Sequence, residues 1–176
     1  MHGVLRDGLL AATTVLTAPA TPYADACARL GAEVRAVDAD LLDEGAVEAA
    51  VGPCDALLVD AAALFGDGGP DALRRALDGA WCAMRATANA AFIPDDRGGK
   101  VVLVAPRPGA GAHAEALRAG LENLSRTTSI EWSRYAITPT TVRPGPTTTI
   151  VETAELVAYL VSPAGNYFSG CVLDLE

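Results

Sequence analysis

Short apolar runs alternate along this chain with stretches of helical spacing. Residues 9–17 (LLAATTVLT) form the first run, and their β-favouring side chains predict a strand. Residues 18–22 read as a turn, and residues 23–30 as a short helix stopped by Gly31. A second strand is predicted over 33–37, leading into Asp38-Ala-Asp40. Residues 43–51 are helical, and Gly52-Pro53-Cys54 turns the chain into a third strand at 56–60. A loop over 66–70 precedes a long helix at 71–92. The apolar run 100–105 predicts a fourth strand, 112–135 a second long helix, and 137–142 a fifth strand closed by Arg143-Pro144-Gly145. Beyond a polar bridge at 146–149, residues 153–160 read as a helix, 162–166 as a turn and 170–175 as a last strand.

Strands separated by helical stretches favour parallel βαβ units, whose right-handed crossovers put helices on both faces of one sheet. The expected architecture is α/β: a three-layer, Rossmann-like, doubly wound, mostly parallel sheet of about six strands. No repeat or linker divides residues 1–176, so one domain is expected.

Composition narrows the partners. The net charge of −9 argues against long-range attraction to nucleic acid or to anionic membranes. No apolar run approaches the roughly 18 residues of a membrane span, and residues 1–6 lack the pattern of a secretory signal. Cys27, Cys54, Cys82 and Cys171 show no C-x-x-C spacing and lie in apolar contexts, which suits reduced thiols in a cytoplasmic protein. His2 and His113 are the only histidines, too few for a His/Cys metal site, so no metal is expected.

The block from 101 to 145 resembles the short-chain dehydrogenase/reductase superfamily. In that family a strand with G-x-I-V-x-x-S-S leads to a helix carrying Y-x-x-x-K and then to R-V-N-x-V-x-P-G. Three further stretches extend the resemblance over nearly the whole chain. GPCDALLVDAA at 52–62 is similar to the family's G-x-I-D-V-L-V-N-N-A-G. LSRTTSIE at 124–131 is similar to L-T-R-S-L-A-x-E, and residues 155–174 follow the family's C-terminal pattern.

The resemblance implies nicotinamide chemistry that the residues do not support. The family's first turn, T-G-x-x-x-G-x-G, sets a pyrophosphate against backbone N–H groups. Here Thr17 is followed by Ala18-Pro-Ala-Thr-Pro-Tyr, without a glycine before Gly31. No cofactor is therefore expected, with NAD(P) as the alternative. Its contacts would be Thr17, Ala18, Asp38 and Asp60. Asp38 or Asp40 stands about 20 residues past Thr17, where a ribose-binding acid would sit; a turn or helix-capping aspartate is the simpler reading. The family's Asn-Ser-Tyr-Lys group aligns with Ala76, Pro106, Ala114 and Arg118. Methyl groups and a proline ring cannot move a proton, and arginine stays protonated. His113 and Glu115 are substitute acid/base candidates, although a helix's first turn accommodates both without chemistry. Pro108-Gly-Ala-Gly111 lacks the spacing and lysine of a phosphate loop.

The second strand runs almost directly into the next helix, and the loop after Gly145 is short, where full-length family members carry more chain. The compact first half and Arg118 also resemble the halohydrin dehalogenase branch, whose Ser-Tyr-Arg group is missing its Ser and Tyr here. The resemblance therefore implies a non-catalytic, auxiliary subunit. It would form a homo-oligomer, or pair with an active family member, through helices 71–92 and 112–135, where Trp81 and Trp132 lie. The alternatives are an oxidoreductase or dehalogenase with relocated groups, and a small-ligand sensor.

Overall fold

The computed structural model describes residues 5–66 and 68–176. His2, most of the segment read for a secretory signal, and Asp67 in the expected 66–70 loop lie outside the described residues. Six strands, β1 (Thr14–Ala18), β2 (Glu33–Ala36), β3 (Ala56–Asp60), β4 (Gly99–Val104), β5 (Ile137–Arg143) and β6 (Val172–Asp174), form one sheet in the order β2-β1-β3-β4-β5-β6. Every pairing is parallel. The expected doubly wound α/β architecture is observed. β2 is an edge strand, and the direction of winding reverses between β1 and β3, which opens a crevice at their carboxyl ends.

Six α-helices connect the strands: α1 (Asp25–Arg29), α2 (Glu44–Ala50), α3 (Ala61–Phe65), α4 (Pro70–Thr87), α5 (Ala114–Glu131) and α6 (Ile150–Val161). Alternate strand residues face opposite sides. Leu57, Val59, Val101 and Leu103 join Ala76, Ala80, Met84, Leu117 and Leu121 of α4 and α5 in one core. Leu58, Val102 and Val104 join Cys27, Leu30, Val157 and Leu160 around α1 and α6 in the other. Alanines let α4 and α5 lie close to the sheet, and a Cβ on Gly120 of α5 would stand 2.8 Å from Leu77 of α4.

Several boundaries differ from expectation for identifiable reasons. The first strand begins at Thr14, not residue 9. Gly8 and Ala12 have φ of 72° and 66°, and the chain turns through Ala11 N–H to Gly8 O and Thr13 N–H to Leu10 O. Leu10 is nevertheless fully buried, so the apolar run marks core rather than strand there. Residues 22–24 form a 3-10 turn ahead of α1. The short helix α3 was not expected; the Asp60 carboxylate caps it by accepting from Ala63 N–H at 2.9 Å. α4 starts at Pro70, a favoured first helical residue, and its last turn widens into a π-helical turn, Ala88–Phe92. α5 ends at Glu131, followed by the 3-10 turn Ser133–Tyr135 and left-handed Ala136. α6 begins three residues earlier than expected, at Ile150, behind a reciprocal capping box of Thr149 and Glu152.

Candidate site at the carboxyl end of the sheet

The crevice between β1 and β3 is built from four loops. β1 ends at the buried Thr17 and Ala18, and the Ala18–Pro19 peptide is cis. Thr21 then caps the 3-10 turn: its Oγ1 accepts from Tyr23 N–H at 3.3 Å and donates to Asp60 Oδ2 at 2.7 Å. Asp60, at the end of β3, is 4% exposed, so its carboxylate ties the first loop to the start of α3. Tyr23 stands beside it. Burial pushes the phenol pKa up, the Asp60 carboxylate adds to that, and the Arg107 guanidinium opposes it. Arg107, from the loop after β4, donates in turn to the carbonyl of Thr148 ahead of α6. Tyr23 and Arg107 carried no motif in the sequence. Only the folded chain brings Tyr23 beside Asp60 and within reach of the Arg107 charge.

A dinucleotide pyrophosphate requires a run of free N–H groups at this turn. Pro19 and Pro22 have none, while Tyr23 and Ala24 donate theirs to Thr21. The helix that follows has five residues. The nearest side-chain charge on β3 is the buried Asp60 carboxylate, which repels phosphate. These residues do not fit the group.

The four positions aligned with the family's catalytic group are enclosed. Ala76 and Ala114 are 0% and 1% exposed, within the core formed with α4 and α5. Pro106 is buried in the loop after β4. Arg118 is 5% exposed and donates to two backbone carbonyls, Pro106 O at 2.7 Å and Pro144 O at 3.0 Å. It therefore clamps the loop after β4 to the loop after β5. Burial lowers its pKa, and Glu115 at 3.5 Å and Asp174 at 3.9 Å act the other way. The loops after α3 and β4 touch by backbone. A Cβ on Gly111 would stand 2.7 Å from Gly68 Cα, and one on Gly68 would stand 2.8 Å from Gly111 Cα.

The remaining candidates are dispersed. His113 precedes α5 without a side-chain capping bond, and Glu115 is exposed. Asp38 is exposed, and Asp40 Oδ1 accepts from Leu42 N–H at 2.9 Å, holding a turn. All four cysteines are free: Cys27 and Cys54 are buried, Cys82 and Cys171 partly so. Among the described residues no helix is long and apolar enough to cross a membrane.

No family model and no curated protein matches the chain. Solved structures do. A short chain dehydrogenase from Mycobacterium smegmatis superposes with a TM-score of 0.78 at 22% identity, covering 100% of this chain and 96% of that one. A citronellol catabolism dehydrogenase from Pseudomonas aeruginosa PAO1 gives 0.76 at 20% identity, covering 98% and 97%. A 3-oxoacyl-(acyl-carrier protein) reductase from Brucella melitensis gives 0.76 at 14% identity, covering 99% and 97%. The chain has the Rossmann-like fold of the short-chain dehydrogenases/reductases.

Proposed function

We propose that this chain is a short-chain dehydrogenase/reductase-fold protein without dehydrogenase activity, acting as an auxiliary oligomeric subunit. The observation that carries this reading is the state of the aligned catalytic positions. Ala76, Pro106 and Ala114 offer no proton, and Arg118 is committed to two carbonyls. A guanidinium held in that way clamps loops and does not shuttle protons. The turn after β1 supports the absence of a nicotinamide cofactor. The outer surface of α4 and α5 supports assembly. Trp81 stacks on Trp132 with ring centroids 6.0 Å apart, and Arg85 lies over Trp81.

Native mass spectrometry of the protein isolated gently from its host tests the reading, together with NAD(P)H fluorescence titration. A homo-oligomer, or a complex with an intact reductase, is expected, with no saturable change in NAD(P)H emission. A monomer that binds NADPH and reduces carbonyl compounds would overturn it.

A second reading, a small-ligand sensor, is favoured by Tyr23, Thr21, Asp60 and Arg107 converging on the crevice. Thermal stabilisation by a small molecule, abolished in Tyr23→Phe, would support it; a flat response across nucleotides and acyl compounds would remove it.

A further inference from the structure

The opposite end of the sheet carries a second assembly of polar groups. Ala56, Lys100 and Thr138 are register partners across β3, β4 and β5. Partners in one row share a face, and Ala56 and Val102 belong to the core under α1 and α6. Lys100 and Thr138 therefore project from that same face at its amino-terminal rim. Ala56 has no reach, which leaves space beside them. Arg97 and Asp55 come from the turns ahead of β4 and β3, and Asn166 from the 3-10 turn after α6. Together they line a depression of about 480 Å³.

The charges there are unevenly spent. Asp55 is engaged: Oδ2 accepts from Thr14 N–H at 2.8 Å, and Oδ1 pairs with Arg97 at 3.5 Å. The Lys100 ammonium, the Thr138 hydroxyl and the Asn166 amide make no hydrogen bond to any described residue. Burial lowers the Lys100 pKa, and Asp55 opposes it. A partly desolvated ammonium with three open donor positions is an electrostatic deficit that an anion would relieve. Two cations beside one engaged carboxylate give a locally positive basin on a chain of net charge −9.

We propose that this basin binds the oxyanion group of a small molecule, a phosphate or a carboxylate, with Lys100 and Arg97 as charge partners and Thr138 and Asn166 as hydrogen-bond donors. Its volume lies in the range of small-molecule sites, so it has room for an oxyanion carried by a larger ligand. The site lies across the sheet from the β1–β3 crevice and uses none of its residues. It stands or falls independently of the lost-activity reading.

The test titrates the full chain with inorganic phosphate and, separately, with citrate, at ionic strength held constant with chloride. Amide resonances of Gly98, Gly99, Lys100 and Thr138 and the Asn166 side-chain NH2 report binding. Saturable shifts confined to these groups are expected with at least one anion; a phosphate preference identifies a phosphoryl ligand and a citrate preference a carboxylate. Lys100→Gln should weaken binding about tenfold. Asn166→Ala, at an exposed position, should weaken it without touching the core, and it serves if Lys100→Gln fails to fold. No saturable shift with either anion, equal shifts with chloride, or affinity unchanged in the variants would overturn the proposal.

Discussion

Arg118 joins two loops through the carbonyls of Pro106 and Pro144, so its removal would strand two buried acceptors. Each unsatisfied buried acceptor costs about 1–3 kcal/mol, so Arg118→Met should destabilise the fold by roughly 2–6 kcal/mol in urea denaturation. Both bonds come from one nitrogen, Nη1, so Arg118→Lys should recover only part: the lysine side chain is shorter and its ammonium falls short of that position. The buried thiols give a pH prediction. Burial pushes Cys27 up to about 12 and Cys54 up to about 11 from an ordinary 9.0, with Arg35 partly opposing the rise at Cys54. A raised acid pKa means the folded state keeps its proton longer than the unfolded one. Their contribution is thus complete below about pH 9 and is lost as pH rises toward 11–12. Denaturation midpoints in Cys27→Ala and Cys54→Ala should fall less steeply across that window than in the parent chain. Little of this was legible in the sequence. The alignment located Arg118, but not the carbonyls that occupy it. Asp60 was singled out, whereas its partners Thr21 and Tyr23 sit about 40 residues away in the chain and become neighbours only where β1 pairs with β3.

At the scale of elements, side-chain caps decide several boundaries. Thr149 and Glu152 begin α6 with two reciprocal bonds, and Thr149→Ala should cost about 1 kcal/mol, read as a lowered thermal midpoint with the sheet intact. The T-x-x-E signature was present in the sequence, but the β-branched Ile150 and Val151 behind it masked the helix start. Strand β3 was legible to the residue, because four buried apolar positions, 56–59, run from the Gly-Pro turn to the capping Asp60. Strand β1 was less so. Its upstream apolar residues serve the core from a turn, and apolar character alone does not distinguish the two. Helix α3 was invisible, being a five-residue turn too short to show periodicity.

For the whole molecule, alternating strands and helices with right-handed crossovers made the doubly wound parallel architecture readable before any contact was known, whereas the order β2-β1-β3-β4-β5-β6 is visible only in the folded chain. The state of assembly was not, since an exposed stripe looks the same whether or not it has a partner. If α4 and α5 form the interface, Trp81→Glu places a charge within the tryptophan stack and should weaken association at least tenfold by sedimentation velocity, with the secondary structure unchanged. An unchanged oligomer would move the interface elsewhere.

The meeting of Gly68 and Gly111 limits what can be rebuilt on this scaffold. Their backbones are too close for any side chain at either position, and Gly68 also has a φ of 75° that favours glycine. Writing serine at 106 and tyrosine at 114 would match two letters of the family pattern and leave this contact as it is. An engineer who wanted a side chain at 68 or 111 would first have to lengthen a loop.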